Sequence, residues 1–129
     1  MTKRIFKRMV ILAMCVAAMT IATAQAAETT LDGAAVQKLL TGNTANGVHY
    51  GKRTVQYFSE SGLTLWQGEG DVAPSEGEWK VENGKYCSRW DAAWNCLSIA
   101  HDEKQNVYYF IGEDFRAPFV VKNDYALSF

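Results

Sequence analysis

The side chains able to act as nucleophiles, acids, bases or metal ligands are few in this chain and stand apart. His49 and His101 are its two histidines. Neither has a Cys or a second His at the spacing a zinc site uses, so a metal site drawing on both would have to be assembled by the fold. Ser59, Ser61 and Ser75 fall in polar stretches, outside the Gly-x-Ser-x-Gly setting that exposes a nucleophilic serine. Carboxylates cluster from Glu69 to Glu78 and again at Asp102, Glu103, Glu113 and Asp114. Two of them facing each other across a cleft would do acid–base work. In turn-like sequence such clusters read first as solvated surface. No catalytic residue is assigned, and no metal or cofactor site is predicted.

The aromatic residues are the more suggestive set. Trp66, Trp79, Trp90 and Trp94 accompany Tyr57, Tyr86, Tyr108 and Tyr109 in a short chain. Such rings fill the core of a small sheet, because each removes a large apolar area from water. They also line pockets, offering stacking faces with polar tips. Trp66, Trp79, Tyr86, Trp90 and Tyr109 are the candidate ligand-binding residues.

The elements that would position them are mostly strands. Asp32 is a candidate N-cap for a helix over Ala34 to Leu40 that Gly42 ends. Val36, Leu39 and Leu40 share one face, so this helix is expected to cover an end or edge of a sheet. From Asn43 onward strands and turns follow. Residues 54–58 and 63–67 alternate around a turn at 59–62, and 68–76 reads as a loop, with room for a short irregular strand. Asn83-Gly84 is the strongest turn signal, because both residues accept positive φ. It sets a register in which Glu82 faces Lys85, Val81 Tyr86, Lys80 Cys87, Trp79 Ser88 and Glu78 Arg89. Opposite charges then meet on one face, leaving Trp79, Val81, Tyr86, Ser88 and Trp90 on the other.

A third strand, 94–99, turns back at 91–93. If Trp90 faces Ala93, Cys87 falls opposite Cys96, and a cross-strand disulfide becomes geometrically feasible. Residues 107–111 are apolar on both faces, 119–122 return, and 125–129 are expected to add a last short strand. About seven to eight short strands with one N-terminal helix predict a mainly β fold, a curved antiparallel sheet or small barrel. Tyr125, Leu127 and Phe129 alternate as in the last strand of an outer-membrane barrel, but such barrels need strands of roughly 9–11 residues with an apolar outer band.

The N-terminus carries an export signature. Lys3, Arg4, Lys7 and Arg8 precede an apolar run from Met9 to Ile21, and Ala22-Thr23-Ala24-Gln25-Ala26 supplies an Ala-x-Ala site. Residues 1–26 are expected to be a secretory signal cleaved after Ala26, with Ala24 second, and 27–129 a single exported domain. Cys15 lies inside the apolar run after Leu12-Ala13-Met14, a poor lipoprotein sequence, and would leave with the leader. What remains carries nine Lys and Arg against fourteen Asp and Glu, an acidic balance that argues against nucleic acid and against an electrostatic grip on anionic lipid. No stable membrane span is expected after cleavage. Two cysteines in an oxidising compartment suit a structural disulfide that reinforces a small core.

The run Leu39-Leu40-Thr41-Gly42-Asn43-Thr44, then Gly77-x-Trp79, Cys87 and Cys96, resembles an uncharacterised family of small exported bacterial proteins, domain of unknown function 995. The resemblance spans nearly the whole of 27–129. It implies a helix before a Gly-Asn-Thr strand, a Gly-x-Trp strand before two cysteines, and export, but no catalytic residues. Gly47-Val48 departs from the tighter glycine turn the family would place after Asn43.

Two functional expectations follow. One is a periplasmic or secreted binding module for a small apolar ligand or a periplasmic protein, an enzyme-inhibitor-like role included, since an acidic domain meets a basic partner by charge complementarity. The other is a small hydrolase whose site forms only in the fold, joining His49 or His101 to a carboxylate.

Overall fold

A computed structural model describes residues 28–129, and the expected leader lies outside the described residues. The chain runs β1 (Glu28–Thr30), α1 (Gly33–Leu40), β2 (Asn43–His49), β3 (Lys52–Phe58), β4 (Leu63–Gly68), β5 (Ser75–Glu82), β6 (Lys85–Arg89), β7 (Trp94–Asp102), β8 (Val107–Ile111) and β9 (Arg116–Asn123). Strands β2 to β9 pair antiparallel, each with its neighbour in sequence, and β9 returns to β2. The result is a closed eight-stranded antiparallel barrel, with β1 as an extra strand and one short helix. An interior of this strand number is just wide enough to be packed with side chains or to hold one small ligand.

Closure depends on β7, the longest strand. Its first half, Trp94 to Leu97, pairs with β6, and its second half, Ser98 to Asp102, pairs with β8. Beyond the end of β6, β1 takes the vacated edge of β7, with Thr30 opposite Ala100 and Glu28 opposite Asp102.

The β5–β6 hairpin has the register its turn dictates, from Glu82 opposite Lys85 to Glu78 opposite Arg89. Asn83 and Gly84 both adopt positive φ, 52° and 75°. Cys87 pairs with Cys96, and the two are joined by a disulfide across a Cα separation of 4.0 Å. That bond suits an oxidising, extracytoplasmic setting. Among the described residues no helix is long and apolar enough to cross a membrane.

Helix α1 starts where Asp32 accepts a hydrogen bond from the Ala35 amide at 2.8 Å, satisfying one of the free N–H groups of its first turn. Val36 and Leu40 are its buried residues. They enter a core with Phe58, Trp79, Tyr86, Ile99, Phe110 and Phe119. A Cβ on Gly33 would already touch Gly84 and Val81 at 3.5 Å, so the helix lies across the end of the barrel that carries the 59–62, 83–84 and 103–106 turns.

Three expectations need correction. Residues 125–129 form no strand. A closed barrel leaves β9 paired on both sides, with no edge for another strand to join. The chain instead leaves β9 through Asp124, at φ 65°, and crosses the outer wall. There Thr44 Oγ1 donates to the Asp124 carbonyl and accepts from the Ala126 amide, and Tyr125 packs edge-on to Tyr57. The loop expected at 68–76 is shorter, because Ser75 already pairs with Trp66. Strands β7 and β9 extend beyond 94–99 and 119–122.

Candidate functional site

The barrel interior is filled at one end and open at the other. At the helix end Phe58 meets Trp79 and Tyr86 edge-on at 5.4 and 5.5 Å between centroids, and Phe110 stacks on Phe119 at 4.1 Å. Trp79 donates its indole N–H to the Ser59 carbonyl at 2.9 Å. These rings fill the barrel axis there, and the space left at that end is a crevice beside α1.

At the opposite end lies a cavity of about 380 Å³, within the range roughly 300–1,000 Å³ of small-molecule sites. Alternation along each strand builds it, since every second residue faces inward. Strand β2 brings His49, β3 Gln56, β4 Trp66, β5 Ser75, and β6 with its following residue Tyr86, Ser88 and Trp90. Leu97 of β7, Phe110 of β8 and Phe115 of the loop before β9 complete the wall. Strands β2 to β8 each contribute to it.

The rim is made of rings. His49 packs edge-on against Phe115 at 5.4 Å and Phe110 at 6.2 Å, with Trp66 at 6.3 Å. Trp90 is 38% exposed and lies over Gly77. A Cβ there would meet Trp90 Cε3 at 2.6 Å, so only glycine admits the indole in this pose. Phe115 is held near the rim by its loop, where the Gly112 amide donates to the Phe115 carbonyl at 2.8 Å.

The blind end is polar. Gln56 and Tyr86 are only 5% and 3% exposed. Gln56 Nε2 donates to Thr64 Oγ1 at 3.0 Å and to the Tyr86 hydroxyl at 2.7 Å. Thr64 Oγ1 in turn donates to the Tyr57 carbonyl at 2.8 Å. Both amide protons of Gln56 are thus engaged, and its Oε1 receives no hydrogen bond from a described residue. It is also not among the sealed, unpartnered polar atoms, so it opens to the cavity. Ser88, 8% exposed, adds a further hydroxyl to the lining.

The cavity carries no formal charge. Among the described residues no Asp, Glu, Lys or Arg lines it. Burial holds the His49 imidazole below its usual pKa and pushes the Tyr86 phenol up, because desolvation disfavours the charged form of each. A neutral imidazole, a neutral phenol, an amide, two serine hydroxyls and the indole N–H groups of Trp66 and Trp90 are its polar side-chain groups.

Of the five residues proposed from the sequence, the structure brings Trp66, Tyr86 and Trp90 together. Trp79 also faces inward but fills the helix end. Tyr109 faces outward, where the Arg116 guanidinium lies 3.9 Å from its ring centroid and pairs bidentately with Glu28. His49, Gln56, Ser88 and Phe115 were not singled out as ligand-binding residues. Counting back by twos from Phe58 would have placed Gln56 inside, whereas Phe115 lies in a loop without periodicity.

The two histidines sit at opposite ends of the barrel. His101 stacks on Tyr108 at 4.3 Å and its Nε2 lies 3.0 Å from Asn106 Oδ1. Among the described residues no group of His, Cys, Asp or Glu could hold a metal ion. A larger crevice of about 510 Å³ lies between α1 and the helix-end residues of β2, β7, β8 and β9. Several of its polar groups are already paired, His101 with Asn106 and Asn43 with the Leu39 carbonyl. The mouth cavity is therefore the candidate site.

Fold and site define a small disulfide-bonded eight-stranded barrel, closed by a helix at one end and open through a ring-lined mouth at the other. Comparison of the chain with protein-family models, with curated proteins and with solved structures finds no match.

Proposed function

We propose that this chain is an exported binding module that holds a small uncharged ligand in the mouth of its barrel, in the periplasm or outside the cell. The observation that carries the reading is the cavity's gradient, with aromatic rings at the rim and unpaired polar capacity at a buried blind end. Convergence of a few polar groups in an otherwise apolar concavity is the usual composition of a ligand site. A barrel that needed only stability would gain by filling that space, as the helix end does. Export is supported by the positive and apolar leader and by the Cys87–Cys96 bond; the acidic balance of the remaining chain disfavours nucleic acid as a partner.

A hydrolase gains no support from the mouth, since no carboxylate stands in its lining beside His49. Native mass spectrometry of protein purified gently from the extracytoplasmic fraction tests the proposal. The expected native species carries extra mass that leaves on denaturation, and the denatured chain begins at Ala27 and lacks two hydrogens for the disulfide. Trp90→Ala and Trp66→Ala should fold and lose the added mass. Retention of that mass by both folded variants would place the ligand elsewhere.

A further inference from the structure

Resting on the reading of the mouth as a binding site, we infer that its ligand is a flat, uncharged aromatic molecule that enters with a hydrogen-bond donor leading, a phenol- or indole-like compound. Four observations converge on that class. A cavity of about 380 Å³ has room for roughly a dozen waters, hence for a ligand of about as many non-hydrogen atoms. The lining has no charged side chain, so an anionic or cationic ligand would be desolvated without a counter-ion. The rim rings are tilted or edge-on to one another, His49 to Phe115 at 75° and to Trp66 at 48°, which offers edges and faces to an entering ring.

The fourth observation is the position of the polar groups. Gln56 Oε1 opens to the blind end with no partner among the described residues, beside the Tyr86 and Ser88 hydroxyls. A fatty chain entering methyl end first would bury its apolar tip against that acceptor and leave it unpaired. Entering head first, it would still have to freeze its rotatable bonds, a cost that a rigid ring does not bear. A ring with an O–H or N–H at its leading edge satisfies Gln56 Oε1 and keeps its remaining edge against Trp66, Trp90 and Phe115. A sugar would present more hydroxyls than this lining can pair.

Calorimetric titration of the purified protein with phenol, indole, toluene, 1-hexanol, benzoate and glucose tests the class. Phenol and 1-hexanol match in carbon number and hydroxyl, toluene lacks the donor, and benzoate carries a charge. Phenol and indole are expected to bind about tenfold more tightly than toluene, 1-hexanol or benzoate, with no heat from glucose. In Gln56→Met the preference for phenol over toluene should fall about tenfold while toluene binding holds. The wild-type series decides the matter even if that variant does not fold. If 1-hexanol, benzoate or glucose binds as tightly as phenol, the inference fails and the mouth remains a binding site of another class. If no probe binds, both the inference and the proposed function fall.

Discussion

The two ends of the barrel obey the same alternation and reach opposite results. At the helix end the inward positions are Phe58, Trp79, Tyr86, Ile99 and Phe119, each at most 5% exposed, and α1 adds Val36 and Leu40 from outside the sheet. At the other end the inward positions are His49, Gln56, Trp66, Ser75 and Ser88, rings and short polar groups that do not meet in the middle. One end is a core and the other a container. Alternation decides only which side of the wall a residue faces. Its depth along the axis decides whether it serves packing or binding.

Substitutions can sharpen that contrast, and the largest effect belongs to the filled end. Phe58→Ala leaves a void among Trp79, Tyr86 and α1, with an expected loss of about 3–5 kcal/mol in urea unfolding. Phe115→Ala at the rim should change stability by well under 1 kcal/mol, since it borders an existing cavity, yet weaken ligand binding. Equal losses at the two sites would break the comparison.

The disulfide comes next. It ties β6 to β7 in the hairpin whose tip carries Trp90, closing a loop of sequence separation 9, worth about 2.6 kcal/mol by loop entropy. Cys87→Ser with Cys96→Ser should lower stability by about that amount and shift tryptophan emission, as the mouth wall loosens. A smaller loss, about 1 kcal/mol, is expected from Asp32→Ala, which uncaps the helix that shuts the filled end.

The smallest effect is a pH dependence at the open end. Burial lowers the His49 pKa from 6.5, so the unfolded chain binds a proton at a higher pH than the folded one. The neutral ring's contribution to stability is complete above the unfolded pKa and declines as pH falls from about 6.5 through the folded value. Unfolding midpoints measured between pH 8 and 5 should show this slope in the wild type and a shallower one in His49→Phe.

Much of the architecture was legible where local chemistry dictates it. Asn83-Gly84 fixed its hairpin and, through it, the inward set of β5 and β6 and the facing of Cys87 and Cys96. The helix was readable from Asp32 and the spacing of Val36 and Leu40. Closure of the barrel was not, because it depends on β9 meeting β2, residues 123 and 43, with no local signal for so distant a pairing. The mouth was half legible. Trp66, Tyr86 and Trp90 could be named from ring content and register. Tyr109 lies in a strand apolar on both faces, where sequence does not say which face turns inward, and Trp79 differs from Trp90 only in depth. Strand β1 escaped notice because a three-residue strand has no periodicity to detect.

Gly77 has a consequence for how such a container is gauged. The indole of Trp90 occupies the place a methyl group would take, so the width of the doorway is set by an atom the chain does not have. Alanine at 77 would act as a wedge that meets the Arg89 carbonyl as well as the ring, driving the Trp90 panel and the edge of β6 off β5 together. The calibre of the doorway is thus written partly at a position that itself touches no ligand.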